Sequence, residues 1–177
     1  MSDPTETGRT VAESRVQLVQ FMRPEHANAL GNVHGGEIMK LVDEAGALAA
    51  MRHARTVVVT VAMDSMTFTE PIRIGAVLTV SAELTYVGST SMEAQVEVIA
   101  ENPITGERKH TNTAYLVYVA LDEVGRPKRV PPLIATTEEE RAKLAAGAAR
   151  QAERKRRRAA EVAHNHSQGA TEPAHER

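Results

Sequence analysis

One segment limits the possible folds more than any other. Gly31-Asn32-Val33-His34-Gly35-Gly36 is a polar, glycine-rich turn, and it runs straight into a mostly apolar stretch that holds helical period to His53. At about 100° per residue, Ile38, Leu41, Val42, Ala45, Leu48, Ala49 and Arg52 share one wide stripe, while Glu37, Lys40 and Glu44 group on the opposite side. A helix with so much apolar surface must be covered, and the sequence after it supplies strands.

Those strands are legible from alternation and turn chemistry. Residues 16–22 form a short strand that Pro24 stops. Residues 57–63 are β-branched and almost uniformly apolar, which predicts a central strand. Ala76, Leu78, Val80, Ala82, Leu84 and Tyr86 alternate with Thr79, Ser81, Glu83 and Thr85. A tight turn at Gly88-Ser89-Thr90 leads into Met92, Ala94, Val96 and Val98, again alternating with polar residues, and Asn102-Pro103-Ile104-Thr105-Gly106 is the next turn. A last strand covers 113–121 and closes at Asp122-Glu123-Val124-Gly125. One helix followed by strands joined as hairpins argues an α+β fold, a curved antiparallel sheet wrapped around one long helix. The predicted divisions are a flexible lead over 1–13, a domain over 14–134, and a charged helix with a disordered tail over 135–177, in which Arg154-Lys155-Arg156-Arg157-Arg158 reads as a solvated helix end.

Composition removes several function classes. The absence of cysteine excludes disulfides, thiolate metal sites and a cysteine nucleophile. A net charge of -2 supplies no field for nucleic acid or anionic membranes. The acidic first residues do not fit a secretion signal, and no apolar run approaches the ~20 residues of a membrane span. The expectation is a cytoplasmic protein that needs no metal or separate cofactor.

The helix suggests the chemistry. Its first N–H groups lack intrahelical partners and can stabilise an oxyanion, so Gly35 and Gly36 are candidate donors. Asp43 belongs to neither helix face; its angular neighbours are Met39, Gly46, Ala47 and Ala50, a flank with room for something to approach. It is a base for carbonyl chemistry, a partner of Lys40, or a group packed under a neighbouring subunit. Asn32 is either the helix cap or a group that polarises water or carbonyl. His34 is a possible loop contact, His53 sits where a helix end favours a cation, and His164 and His166 lack the company a metal site needs. Gly36 and Asp43 are separated by roughly 10 Å along the axis, whereas a base and oxyanion donors must both reach the reacting atoms. If both act on one carbonyl, they come from different subunits.

The motif Asn32-Val33-His34-Gly35-Gly36 with Met39-Lys40-Leu41-Val42-Asp43-Glu44-Ala45-Gly46 resembles hotdog-fold acyl-CoA thioesterases of the cytosolic acyl-CoA hydrolase type. Residues 66–75, 88–93 and 118–121 fit the same family, and the likeness runs from about Arg15 to Leu133. It implies a hotdog fold and a homodimer, often built into a hexamer. It also implies hydrolysis of a medium- to long-chain acyl-CoA to free acid and CoA, coenzyme A being part of the substrate. Asp43, as base or nucleophile, and Asn32 are the implied catalytic pair, contributed across the dimer. Candidates to bind the CoA phosphates are Arg73, Arg108, Lys109, Arg126, Lys128 and Arg129, with the hydroxyls and N–H groups of Ser89, Thr90 and Ser91. Two other readings stay open: a hotdog acyl-thioester dehydratase, for which His34 is the loop histidine, and a non-enzymatic acyl-CoA sensor.

Overall fold

A computed structural model describes residues 7–64, 66 and 70–169, with side chains to residue 162. Residues 1–6, 65, 67–69 and 170–177 lie outside it. They include the start of the expected lead, Thr67-Phe68-Thr69 of the family motif and the end of the expected tail; the side chains of His164 and His166 are also outside.

The chain orders as β1 (Arg9–Thr10), α1 (Val11–Ser14), β2 (Val16–Phe21), a 3-10 turn (Pro24–His26), α2 (Gly35–Ala54), β3 (Val58–Met63), β4 (Val77–Val87), β5 (Ser91–Glu101), β6 (Arg108–Ala120), β7 (Leu133–Ile134) and α3 (Glu138–Gly169). Five strands make one antiparallel sheet in the order β2-β4-β5-β6-β3. It curls around α2, whose residues Ile38, Val42, Ala45, Ala49 and Ala50 are buried against Leu78, Val80, Leu84, Met92, Val96 and Leu116. This is the α+β architecture the strand pattern predicts, and it matches the hotdog fold that the resemblance implies.

The differences are instructive. β3 is an edge strand, not a central one, and it leaves Val59, Val61 and Met63 exposed, as is Val57 just before it. The buried stripe of α2 is also rotated from the predicted one. Gly46, Ala50 and His53 are inside, whereas Leu48 is 39% exposed and Arg52 is exposed. Small residues win this face because they let the curved sheet approach the helix closely.

His53 is no helix-end cation at the surface. It is fully buried, with Nε2 2.8 Å from the Pro131 carbonyl oxygen, and burial pushes its pKa down. Arg9 is tied into the fold: β1 pairs with β7 in parallel and the Arg9 guanidinium donates to the His53 carbonyl.

α3 lies across the outer face of β4 and continues toward the far edge. Glu93 on β5, one of the polar residues that alternate with Met92, Ala94 and Val96, is 1% exposed beneath it. The Glu93 carboxylate accepts from Thr85 Oγ1 (2.6 Å), Arg150 (2.7 Å) and Arg154 (2.5 Å), and Arg154 also pairs with Asp64 at 2.7 Å. Arg150 further sits 3.7 Å over the Tyr115 ring. Arg154 is thus pinned to the fold, while Lys155, Arg156, Arg157 and Arg158 are exposed.

Candidate active site

The loop ahead of α2 is closed by Asn28. Its Oδ1 accepts from the N–H groups of Leu30 (2.9 Å) and Asn32 (3.2 Å), and its own N–H donates to the Asn32 carbonyl at 2.7 Å. The cap of α2 is His34, not Asn32: the Gly36 N–H donates to His34 Nδ1 at 2.9 Å. Gly36 therefore already has an acceptor for its N–H, and Gly35, at the first helical position, is the helix-start donor without one among the described residues. Asn32 instead bridges to Arg73, whose guanidinium donates to Asn32 Oδ1 at 3.4 Å.

Asp43 does not pair with Lys40. Its Oδ1 accepts from Thr60 Oγ1 on β3 at 2.7 Å and from the Tyr118 hydroxyl on β6 at 3.2 Å; the same hydroxyl is 3.0 Å from the Asp43 carbonyl oxygen. The meeting with Thr60 follows from element geometry. From Ala54 back to Asp43 the helix rises about 16 Å at 1.5 Å per residue, and from the Arg55 turn to Thr60 an extended strand rises the same ~16 Å at 3.3 Å per residue. Arg55 permits the reversal by adopting φ 55°, a left-handed helix end. Thr60 and Tyr118 are directly opposite in the β3–β6 register, so both reach one carboxylate. Sequence reasoning missed both. The signal for Thr60 was present, a lone hydroxyl in an otherwise apolar strand; that for Tyr118 exists only once the register is known.

The CoA candidates fall at opposite ends of the fold. Arg73 bridges to Asn32 at the start of α2; at the far end of the sheet from the 88–91 turn, Arg108 pairs with Glu101 and Lys109 with Glu70 and Glu107. Ser89, Thr90 and Ser91 form the β4–β5 turn, beside the 126–130 segment: Val130 N–H donates to the Ser89 carbonyl, Lys128 N–H to the Ala120 carbonyl, and Arg126 pairs with Asp122. Arg129 and Lys128 are exposed there. One protomer does not bring the two groups together.

Comparison with known proteins fits this geometry. Residues 30–107 match the thioesterase superfamily model. The mouse cytosolic acyl coenzyme A thioester hydrolase is 41% identical over 133 residues, covering 71% of this chain and 35% of that protein. A crystal structure of an apo-hexameric acyl-CoA thioesterase superimposes with TM-score 0.82 at 39% identity, covering 86% of this chain and 97% of that one. The chain belongs to the hotdog-fold acyl-CoA thioesterase family. It spans only about a third of the length of the mouse relative. The Staphylococcus aureus acyl-CoA hydrolase, solved with butyryl coenzyme A and coenzyme A, superimposes with TM-score 0.83 at 29% identity over 92% of this chain and 99% of that one. The same S. aureus enzyme has been solved with an aspartate, a threonine or an asparagine replaced by alanine.

Proposed function

We propose that this protein hydrolyses the thioester of a medium- to long-chain acyl-CoA, with Asp43 as general base on water. The observation that carries this is the Asp43 carboxylate itself. It stands half-buried on the flank of an otherwise apolar helix, held at one oxygen by Thr60 and Tyr118. The residue types altered in the S. aureus enzyme are the types gathered here: Asp43, Thr60, and the loop asparagines Asn28 and Asn32. The thioester oxygen would take the Gly35 N–H at the helix start, where one well-placed donor typically contributes ~3 kcal/mol to the transition state. Asn32 or Asn28 would hold the water or carbonyl.

The catalytic unit is a dimer. β3 is one of the sheet's two edge strands, the one that stands over Asp43, and its apolar row invites antiparallel pairing with a second copy. For one protomer's Asp43 to stand level with its partner's helix start, the two-fold axis must pass midway, near Met39. Counting back about 22 Å along α2 and forward along β3 from the Arg55 turn puts that level at Val61–Ala62. Val61 is 54% exposed at the irregularity in the β3–β6 register, and Met39 is 43% exposed. The same axis would bring one protomer's Arg73 end toward its partner's Ser89–Arg129 end, so a single CoA could draw on both groups. A hexamer and a cytosolic setting follow the relatives. Among the described residues, no helix is long and apolar enough to cross a membrane.

The test is thiol release from a chain-length series of acyl-CoAs by the wild type and by Asp43→Ala, Asn32→Ala and Asn28→Ala. General bases contribute ~10²–10⁴-fold, so a folded Asp43→Ala that keeps more than a tenth of the rate would refute the assignment. Hydration of an enoyl-CoA would point to the dehydratase reading, and tight binding without turnover to the sensor.

A further inference from the structure

Two donors converge on one oxygen of Asp43. Thr60 Oγ1 lies 2.7 Å from Oδ1, the single Tyr118 O–H proton is shared between Oδ1 at 3.2 Å and the Asp43 main-chain carbonyl oxygen at 3.0 Å, and Oδ2 has no donor among the described residues. Tyr118 is fully buried, so its hydroxyl has no exposure to solvent to fall back on. Its approach also depends on Gly46. A Cβ at that position would lie 2.4 Å from the Tyr118 hydroxyl and 3.1 Å from its ring, closer than real contacts allow. Glycine at this point of the helix interior forgoes about 1 kcal/mol of helix propensity relative to alanine, and the space it leaves is where the hydroxyl sits.

Resting on the reading of Asp43 as the base, we propose that Tyr118 is a positioning residue for hydrolysis. With Thr60 it holds Oδ1, so that Oδ2 is the oxygen that works, and Gly46 is the steric condition for that contact. The step balances without an added reactant. Water oxygen bonds to the thioester carbon, its proton passes to Oδ2, and the carbonyl π pair moves onto oxygen. Collapse re-forms the carbonyl and breaks the C–S bond, and the proton on Oδ2 leaves with the CoA sulfur. Throughout, Oδ1 stays hydrogen-bonded, so the carboxylate cannot rotate away from the water. Burial and the neighbouring Asp43 push the Tyr118 phenol well above its ordinary range, so it stays a donor at every working pH.

The experiment uses the full chain and compares wild type, Asp43→Asn, Tyr118→Phe, Gly46→Ala and the Gly46→Ala/Tyr118→Phe pair, each checked for fold by circular dichroism. Tyr118→Phe should lower kcat about tenfold with KM within about twofold, because a hydrogen bond to a charged group is lost where it orients rather than binds. Gly46→Ala, which displaces the hydroxyl, should lower kcat with the same small effect on KM. It should lower Tm less in the Tyr118→Phe background than alone, because the shortest clash is with that hydroxyl. If Asp43→Asn keeps full turnover, the base assignment falls and the positioning role with it. If Asp43→Asn is inactive while folded Tyr118→Phe and Gly46→Ala give wild-type kcat, only the positioning role is overturned.

Discussion

Replacing Glu93 with alanine removes the most buried of the acceptors that hold α3 to the sheet, Glu83 with Lys143 being another. The Glu93 carboxylate is 1% exposed and lies 2.7 Å from Arg150, 2.5 Å from Arg154 and 2.6 Å from Thr85 Oγ1. Breaking a fully buried pair from one side typically costs about 3–5 kcal/mol, because the remaining charge is stranded. Here the arginines are 27% and 16% exposed, so they can partly rehydrate, and Arg154 keeps Asp64 at 2.7 Å. The expected cost is therefore about 2–3 kcal/mol, short of the full penalty for a stranded charge. For a chain of this size that corresponds to a fall in Tm of roughly 5–10 °C. Differential scanning fluorimetry measures it, with urea unfolding as the check on free energy. A fall under about 2 °C would refute the reasoning, since that is what a solvent-exposed pair contributes.

Other outcomes follow from the same structure. Arg126→Ala removes the partner of Asp122, a pair 77% and 30% exposed, while the Val124 and Arg126 N–H groups still donate to Asp122 Oδ1, and it should change stability by less than about 1 kcal/mol in urea unfolding. His53 is held below its ordinary pKa by burial, so its neutral form is favoured in the fold. Its contribution to stability is complete above the unfolded value of ~6.5 and is lost as pH falls from there toward the depressed folded value. His53→Gln should flatten the loss of urea midpoint between pH 7.5 and 5.5 that the wild type shows. Gly147→Ala would place a Cβ 2.6 Å from the Thr85 carbonyl oxygen and 2.9 Å from Tyr86 Cβ. It should therefore destabilise by about 1–3 kcal/mol despite the better helix propensity of alanine, as read by thermal unfolding. Val61→Lys should yield monomers in sedimentation equilibrium and abolish thiol release, because it puts a charge on the β3 edge where two copies are proposed to pair.

How much of this was legible in the sequence depended on whether the signal was local. Alternation along β4 and β5 and the turn residues at 88–90 and 102–106 are properties of neighbours in the chain, and they predict the elements well. The even apolarity of β3 was local too, but it has two physical causes. A strand can be apolar on both faces because it is central, or because its edge is destined for another surface; only the strand order separates them. Glu93 reads only as a polar position of the alternation because nothing nearby announces that α3, fifty residues on, will bring two arginines over it. His53 looks like a surface cation at a helix end until Pro131 closes over it. In the site, Asp43 stood out because a carboxylate on an apolar flank is costly. The identities of its holders, Thr60 and Tyr118, needed the return of β3 from Arg55 and its register with β6. His34 as the cap in place of Asn32 needed the loop closure made by Asn28.

The central claim is that one active site takes Asp43 from one protomer and the loop and helix start from the other. Subunit mixing tests it directly. Asp43→Ala protein would be unfolded and refolded together with the loop variant, Asn32→Ala or Asn28→Ala, that itself abolishes turnover, and thiol release measured. A heterodimer then carries one site with both faults and one with none. Random mixing makes half the dimers mixed, so activity should return to about a quarter of wild type. If each site were built within one protomer, every site in every mixture would keep one fault, and an inactive mixture would contradict the account.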